Sequence, residues 1–273
     1  MGALQAGLLR SFVQRGFRPS RIVGTSVGAL NGAFLAFYPD AFGMDRLADI
    51  WRSLENERFI SVSKVRLAFR LAAGRRHLFD NEIVRGIVAQ HAVDDDFAAA
   101  QIPLYVTTTD LVTGGKQVFH SGPVSQAVLA SSAIPGVFSP VDINGHAYID
   151  GGVVANLDLE TAIELGANDI LAIDLSHCFE LPQPKNVIGV ITRTVDIVMR
   201  ERVERDIELL GQKAHITLIQ PKIEEGPGLG ELSYVSRLIE SGESFGEQIA
   251  GLCFDDDGRL RPGVIKASLA IPA

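Results

Sequence analysis

Two spacings of apolar residues alternate along the chain, and each predicts one type of secondary structure. Apolar residues three or four positions apart predict helices, whereas short runs rich in β-branched residues predict strands, and glycine or proline separates the two. Helices are predicted over residues 4–12, 27–37, 81–91, 124–130, 159–165 and 195–210, and strands over residues 21–25, 104–109, 147–149, 170–175 and 215–220. The alternation predicts a layered α/β fold with a mainly parallel central sheet.

Residues 41–80 have the least regular pattern, and we expect them to form an insertion or lid region between core elements. Part of this region alternates basic and apolar residues, as helices at a membrane interface do. The basic residues are Lys64, Arg66, Arg70, Arg75 and Arg76, and the apolar residues are Leu67, Phe69 and Leu71. A lid, a membrane-docking face and a solvated helix packed on the body all fit this pattern. The 273 residues as a whole suit one domain over residues 1–273.

The composition narrows the classes of function. Lys and Arg number 25 against 33 Asp and Glu, and the resulting net charge of −8 disfavours sequence-independent binding to nucleic acid. The two cysteines, Cys178 and Cys253, have neither metal-ligand spacing nor a disulfide pattern, which favours a reducing compartment. No apolar run approaches the roughly 20 residues that cross a bilayer. We therefore expect a cytoplasmic protein whose contact with a membrane would be peripheral, and the pattern specifies no oligomeric state.

A short motif, Gly24-Thr25-Ser26-Val27-Gly28, lies where a predicted strand passes directly into a predicted helix. This is the strand-turn-helix context of a nucleophile elbow with the pattern G-x-S-x-G. In so tight a turn we expect a Cβ atom at either glycine to clash, and the serine to be exposed at the start of the helix. The helix N-terminus favours negative charge near the serine oxygen, and the N–H of Val27 is a candidate oxyanion donor. A serine that only caps the helix is the alternative interpretation.

Ser26 needs a base, and a carboxylate is the best candidate in the sequence. Asp150 ends a predicted strand and precedes Gly151 and Gly152, so that its carboxyl group would emerge at a strand end beside closely approachable backbone. Desolvation would raise its pKa and make it a better base. An aspartate that only opens a glycine turn is the alternative. Of the six histidines, His177 is the best placed, because it follows a predicted strand.

Together these motifs resemble the patatin-like phospholipase family. Beyond G-T-S-V-G and D-G-G, the sequence A-S-S-A-I-P-G at residues 130–136 is similar to the family's A-S-x-A-x-P segment. Residues 148–156, followed by E-L-G-A at residues 164–167, are similar to the family's strand, D-G-G turn and following helix. These motifs occur in the family's order and extend over most of the chain.

The resemblance implies a three-layer α/β/α fold and a serine acyl hydrolase with a Ser26–Asp150 dyad. Ser26 would attack the acyl ester carbonyl of a lipid or phospholipid, forming an acyl-enzyme. Asp150 would take the serine proton, return it to the leaving alcohol and then activate water. The family's chemistry implies neither a metal nor an organic cofactor.

The start of the chain departs from the family, which opens with a strand and a G-G-G-x-x-G loop whose N–H groups form the oxyanion hole. Residues 1–7 resemble only the end of that loop running into the first helix, so that Gly2 alone is carried over as an oxyanion residue. We expect the true start to lie upstream of Met1. Asp158 is a second departure, at a position where the family often has proline, and we expect it to alter only a turn.

Two other functions stay open. An α/β-hydrolase esterase would use a Ser-Asp-His triad with His177 or His215, and a non-catalytic acyl-binding or scaffold protein would have kept the fold without the oxyanion loop. A Rossmann-type nucleotide-binding protein is disfavoured, because no G-x-G-x-x-G follows a strand.

Overall fold

The computed structural model describes residues 1–56, 95–178, 183–184, 187–223 and 234–269. The helices in these ranges are α1 (Gly2–Gln14), α2 (Val27–Phe37), α3 (Ala41–Asn56), α4 (Val124–Ser131), α5 (Gly152–Ala155), α6 (Leu159–Glu164), α7 (Val187–Leu210) and α8 (Val235–Cys253), with a 3₁₀ turn at Phe97–Ala99. The strands are β1 (Ile22–Thr25), β2 (Leu104–Asp110), β3 (Lys116–Phe119), β4 (Val141–Ile143), β5 (His146–Asp150), β6 (Asp169–Ile173), β7 (His215–Ile223) and β8 (Gly263–Leu269). None of these helices is both long enough and apolar enough to span a bilayer.

The spacing of apolar residues located most of these elements. The strands predicted over residues 21–25, 104–109, 147–149, 170–175 and 215–220 are β1, β2, β5, β6 and β7. The predicted helices are α1, α2, α4, α6 and α7, except that residues 81–91 lie outside the described residues.

Side chains on opposite faces of the strands pack against different helices, which produces three layers. On β6, Ile170 and Ala172 pack in one hydrophobic cluster with α6 and α7, whereas Leu171 and Ile173 pack in another with α1 and α8. Because successive side chains of a strand point to opposite faces, β6 is covered on both sides. The predicted α/β layering is confirmed.

The strand pairing differs from the predicted mainly parallel sheet, because parallel and antiparallel ladders are mixed. The β1–β2, β6–β7 and β7–β8 pairs are parallel, whereas β2–β3, β2–β5 and β4–β5 are antiparallel. The connections from β2 to β3 and from β4 to β5 are too short for parallel pairing. Between β4 and β5 the turn residues Asn144 and Gly145 have φ of 54° and 83°, as a two-residue type I′ hairpin requires. The Asn-Gly dipeptide is a hairpin signal that apolar spacing alone does not register.

The first part of the predicted insertion is a regular helix that belongs to the core. Met44 and Leu47 of α3 are fully buried (0% exposed) in a cluster that includes residues of α1 and α2. Apolar residues at helical spacing, from Met44 to Trp51, explain this helix, which is not among the helices predicted from the sequence. Residues 57–80, which carry the basic and apolar alternation, lie outside the described residues. Their role as a lid or membrane-docking face stays a prediction.

Helices α1 and α8 cross at glycines, where their backbones touch. A Cβ atom at Gly242 of α8 would overlap the carbonyl oxygen of Leu4, and one at Gly7 of α1 would overlap the carbonyl oxygen of Ile239. Glycine at these two points therefore allows a helix approach that any side chain would prevent. The contact buries Leu4, Leu8 and the central part of α8 in one hydrophobic cluster.

We expect Gly242→Ala to lower the free energy of unfolding by about 1–3 kcal/mol, because the added methyl group must push the helices apart. Gly251→Ala is the matched control in the same helix, since, apart from the adjoining residues and the backbone of α8 itself, no atom of the described residues lies within 4 Å of the Cβ position there. Removing backbone freedom at this exposed site should stabilise the protein by up to about 1 kcal/mol. Denaturant unfolding followed by circular dichroism checks both values. Equal effects of the two substitutions would contradict the proposed close packing.

Candidate active site

Ser26 occupies a strained turn between β1 and α2. Its φ of 55° and ψ of −125° fall in a region that residues other than glycine rarely adopt. Such a conformation costs on the order of 1–3 kcal/mol and persists only where the surroundings hold it. The side chain is partly exposed at the start of the 11-residue helix α2. The predicted nucleophile elbow therefore has both the position and the strain of that motif.

Only one of the two elbow glycines is required by packing. A Cβ atom at Gly24 would lie 2.7 Å from the Cα atom of Ala29 and 2.7 Å from the carbonyl oxygen of Gly28. At Gly28 the nearest atom to such a Cβ is Nε2 of Gln5, at 4.0 Å. The expectation that a Cβ would clash at either glycine is thus wrong for Gly28, because in the first turn of α2 its Cα faces open space.

Ser26 and Asp150 meet because their strands share one edge of β2. The ladder of β1 ends where Thr25 pairs with Thr107, and the ladder of β5 ends where Asp150 pairs with Thr108, the next residue of β2. Both strands lie on the same edge, because β3 occupies the opposite edge at Thr107 and Thr108. They run toward each other and meet end to end, and Ser26 Oγ donates a hydrogen bond of 2.6 Å to Asp150 Oδ2.

The carboxyl group of Asp150 is almost completely buried, with 3% of the residue exposed. Its second oxygen, Oδ1, accepts a hydrogen bond of 2.8 Å from the N–H of Gly152. Burial raises the pKa of Asp150 to about 6, although the hydrogen bonds from Ser26 and Gly152 oppose this by favouring the charged form. At neutral pH the group is an ionised carboxylate that is a stronger base than an exposed aspartate.

The two glycines after Asp150 are both confined by packing. A Cβ atom at Gly151 would overlap the carbonyl oxygen of Thr107 in β2. A Cβ atom at Gly152 would overlap the methyl group of Met199 in α7 and would lie 3.0 Å from Oδ1 of Asp150. The D-G-G turn thus packs directly against both β2 and α7.

At the start of α2, two N–H groups are available to a ligand. The carbonyl oxygen of Ser26 accepts the N–H groups of Ala29 at 2.9 Å and Leu30 at 3.3 Å. The N–H groups of Val27 and Gly28 have no acceptor in the described part of the chain. Val27, the predicted oxyanion donor, is the residue directly after Ser26, where a nucleophile elbow supplies such a donor.

Gly2, the other predicted oxyanion residue, is buried beside the elbow. A Cβ atom on Gly2 would overlap the side chains of Val27 and Trp51. The amide of Asn31, a fully buried residue of α2, donates to the carbonyl oxygen of Gly2 at 2.9 Å and to Oε1 of Gln5 at 2.8 Å, and it accepts Trp51 Nε1 at 2.9 Å. Asn31 therefore ties α1 and α3 to the nucleophile helix. Sequence reasoning missed it, although a polar residue inside an apolar helix is a detectable signal.

Asp158 does more than alter a turn, which corrects the expectation from the sequence. Its side chain is nearly inaccessible and accepts hydrogen bonds from the hydroxyls of Thr107 and Thr161, both at 2.8 Å, and from Lys116 Nζ at 3.0 Å. It also caps α6 by accepting the N–H of Thr161 at 3.1 Å. A buried carboxylate needs such partners, and these partners connect α6 to β2 and β3.

The two histidines proposed for a triad do not contact the serine. Nδ1 of His177 lies 3.0 Å from Oδ2 of Asp174, and Nδ1 of the exposed His215 lies 3.3 Å from Oδ1 of Asp169. Among the described residues, no histidine is hydrogen-bonded to Ser26, whose Oγ is instead bonded to Asp150. His77 and His91 lie outside the described residues.

Several known proteins are similar in sequence to this chain. Relatives include a putative patatin-like phospholipase domain-containing protein of Caenorhabditis elegans, 27% identical over 176 residues, which cover 64% of this chain and 16% of the relative. An uncharacterized NTE family protein of Mycobacterium tuberculosis is 27% identical over 175 residues, covering 64% and 46%. Lysophospholipase NTE1 of Mycosarcoma maydis is 25% identical over 182 residues, covering 64% and 9%. The chain spans less than half the length of each of these relatives.

The family model described as Patatin-like phospholipase matches residues 1–163, a segment that contains Ser26, the A-S-S-A-I-P-G sequence, the D-G-G turn and Asp158. This match covers more than half of the chain. The protein therefore belongs to the patatin-like phospholipase family.

Proposed function

We propose that this protein is a serine acyl hydrolase that cleaves lipid acyl esters with a Ser26–Asp150 dyad. The observation that carries the proposal is the 2.6 Å hydrogen bond from Ser26 Oγ to the buried carboxylate of Asp150. Nucleophilic catalysis by serine requires a base within hydrogen-bonding reach, and Asp150 meets this requirement directly. A triad with His177 or His215 has weaker support, because neither ring is bonded to Ser26 or to Asp150.

In the first half of the reaction, Asp150 takes the hydroxyl proton as Ser26 Oγ forms a bond to the ester carbonyl carbon. The negative charge on the carbonyl oxygen is stabilised by the N–H of Val27 at the positive end of α2, and Gly2 is the second proposed member of the oxyanion hole. The bond to the leaving alcohol then breaks, and Asp150 returns the proton to that alcohol. Water activated by the same carboxylate releases the fatty acid and restores Ser26.

The solvent-facing side of α7 favours a lipid over a water-soluble ester. Five aliphatic residues on one face of the first half of α7 are 49% to 74% exposed, and the same face of the second half is mostly charged. The five are Val187, Val190, Ile191, Ile197 and Val198. Met199 of the same helix packs against Gly152, so that α7 itself contacts the D-G-G turn, while the five aliphatic residues face solvent. The exposed apolar area of this helix, which also contacts the D-G-G turn, thus favours a peripheral contact with lipid.

The relatives support a phospholipid or lysophospholipid as the class of substrate. Several are named lysophospholipases, including those of Mycosarcoma maydis and Aspergillus terreus. We therefore propose a lysophospholipid as the first substrate to test.

Replacing either member of the dyad should abolish ester hydrolysis. Ser26→Ala should lower kcat by at least about 10³-fold, and Asp150→Asn, which keeps the shape of the side chain, by about 10²–10⁴-fold. Turnover of p-nitrophenyl butyrate and labelling by a fluorophosphonate probe measure both effects. His177→Ala and His215→Ala are the controls and should stay close to the unsubstituted protein. A collapse in rate on removing either histidine would support the triad instead, and full activity in Ser26→Ala would reject both mechanisms.

The pH dependence of the reaction should follow the ionisation of Asp150. The base must be charged, and burial raises the pKa of this carboxyl group to about 6. Consequently kcat/KM should rise with pH up to about 6 and then level off, with a fall of roughly tenfold for each pH unit below that value. A profile of p-nitrophenyl butyrate hydrolysis from pH 4 to pH 8 checks this. A midpoint close to 4 would show that Asp150 is not desolvated in the working enzyme.

The apolar surface of α7 should matter only when the substrate is in a membrane. The double substitution Ile191→Asp, Val198→Asp should lower turnover of lysophosphatidylcholine in phosphatidylcholine vesicles by at least about tenfold, because burial of two aliphatic side chains is lost. Hydrolysis of soluble p-nitrophenyl butyrate should not change. Leu209→Asp is the matched control, since Leu209 is 63% exposed at the charged end of the same helix. An equal loss with both substrates, or in the control, would contradict this function of the surface.

A further inference from the structure

The hydroxyl group of Ser131 lies between the backbone of the proposed nucleophile and strand β2. The N–H of Ser26 donates to Ser131 Oγ at 2.8 Å, and Ser131 Oγ donates to the carbonyl oxygen of Thr107 at 2.7 Å. Ser131 is the last residue of α4 and is fully buried (0% exposed). Thr107 is also the residue of β2 that pairs with Thr25. A single side chain thus connects Ser26 to the strand position where the ladder of β1 ends.

The direction of these two hydrogen bonds is fixed by chemistry. A hydroxyl group has one hydrogen to donate and lone pairs with which to accept. A carbonyl oxygen can only accept and an N–H can only donate, so Ser131 must donate to Thr107 and accept from Ser26. Both donor–acceptor distances lie in the normal range for hydrogen bonds. In this one direction of donation, the N–H of Ser26, the hydroxyl of Ser131 and the carbonyl oxygen of Thr107 all have a partner.

The strained backbone of Ser26 is held at both of its peptide groups. Ser131 holds the N–H, while the carbonyl oxygen accepts the N–H groups of Ala29 and Leu30 at the start of α2. The hydroxyl of Ser132 makes a longer contact of 3.4 Å to the same carbonyl oxygen. A conformation with positive φ persists when its surroundings determine it from several sides. Of these contacts, the one from Ser131 is the only side-chain bond to the N–H of Ser26 in the described part of the chain.

We propose that Ser131 is a positioning residue that holds the elbow so that Ser26 Oγ points at Asp150, an inference that rests on the proposed function. Without the hydroxyl, the N–H of Ser26 loses its acceptor and the elbow can relax toward less strained torsion angles. Ser26 Oγ then moves relative to both Asp150 and the N–H of Val27. Small displacements of reacting groups have large effects on rate, which makes kcat the sensitive quantity.

Ser131→Ala should lower kcat for p-nitrophenyl butyrate by about 10- to 100-fold with little change in KM, since binding of the ester does not require the bridge. The pH midpoint of kcat/KM should also move upward. The hydrogen bond from Ser26 favours the charged form of Asp150, so that weakening it raises the pKa of the carboxyl group. A substitution that only lowered the stability of the fold would neither reduce kcat at an unchanged KM nor raise the pH midpoint of kcat/KM.

Two further substitutions separate the hydrogen bonds from the space that the side chain fills. Ser131→Cys nearly keeps the shape but supplies a weak donor and a weak acceptor, so we expect it to lose rate as Ser131→Ala does. Ser131→Thr keeps the hydroxyl and should recover much of kcat if the added methyl group is accommodated. Ser11→Ala is the matched control, because Ser11 is equally buried but donates only to the carbonyl oxygen of Leu8 in its own helix. It should lose stability without losing kcat.

The results separate this inference from the proposed function. If Ser26→Ala is inactive while Ser131→Ala and Ser131→Cys keep the unsubstituted kcat, the role of Ser131 is wrong and the dyad stands. If Ser131→Cys restores full rate, the side chain only fills space, and the inference is equally wrong. If Ser26→Ala keeps full activity, the proposed function fails and the role of Ser131 fails with it. Loss of kcat in the Ala and Cys variants, with an unchanged KM and a raised pH midpoint, supports positioning.

Discussion

Two strands that approach each other along the same edge of β2 are the constraint on which the candidate site depends. Because β1 is parallel to β2 and β5 is antiparallel to it, the carboxyl ends of β1 and β5 face each other at Thr107 and Thr108. The residue that follows one ladder is Ser26, and the residue that ends the other is Asp150. Their contact is thus a consequence of register, and a shift of either strand by one residue would turn the side chain to the other face of the sheet.

The number of hydrogen-bond donors around a buried carboxylate determines how readily that carboxylate binds a proton. Asp174 follows β6 and is buried, but its carboxylate accepts hydrogen bonds from the N–H and hydroxyl of Ser176 and from Gln220, and these hold its pKa below the ordinary value. Within the described ranges the carboxylate of Asp150 accepts only two, from Ser26 and Gly152, and burial raises its pKa to about 6. A carboxylate with many donors is a stable anion, whereas one with few donors binds a proton more readily. The sparse hydrogen bonding of Asp150 suits the base that the proposed reaction needs.

The packing around the site joins elements that are far apart in the chain. Asn31 connects the nucleophile helix α2 to the start of α1 and to Trp51 of α3. Helix α1 is held in turn by its glycine contacts with α8. Helix α7 closes the opposite side, where Met199 packs on Gly152. The proposed dyad is therefore surrounded by fixed elements, which allows a strained serine to persist.

The sequence alone determined the local parts of this protein. Helix α2, strand β1 and the elbow between them could be predicted because a strand-turn-helix passage is encoded by neighbouring residues, and the D-G-G turn and the family resemblance could be read from short motifs. Tertiary structure decided the rest: the register that brings Asp150 to Ser26, the bridge through Ser131, the network around Asp158, the open space at Gly28 and the core position of α3. Apolar spacing reports which face of an element is buried, but it does not report which neighbour covers that face. Hydrogen bonds between residues 26, 107, 131 and 150 therefore become visible only when β1, β2, α4 and β5 are in place.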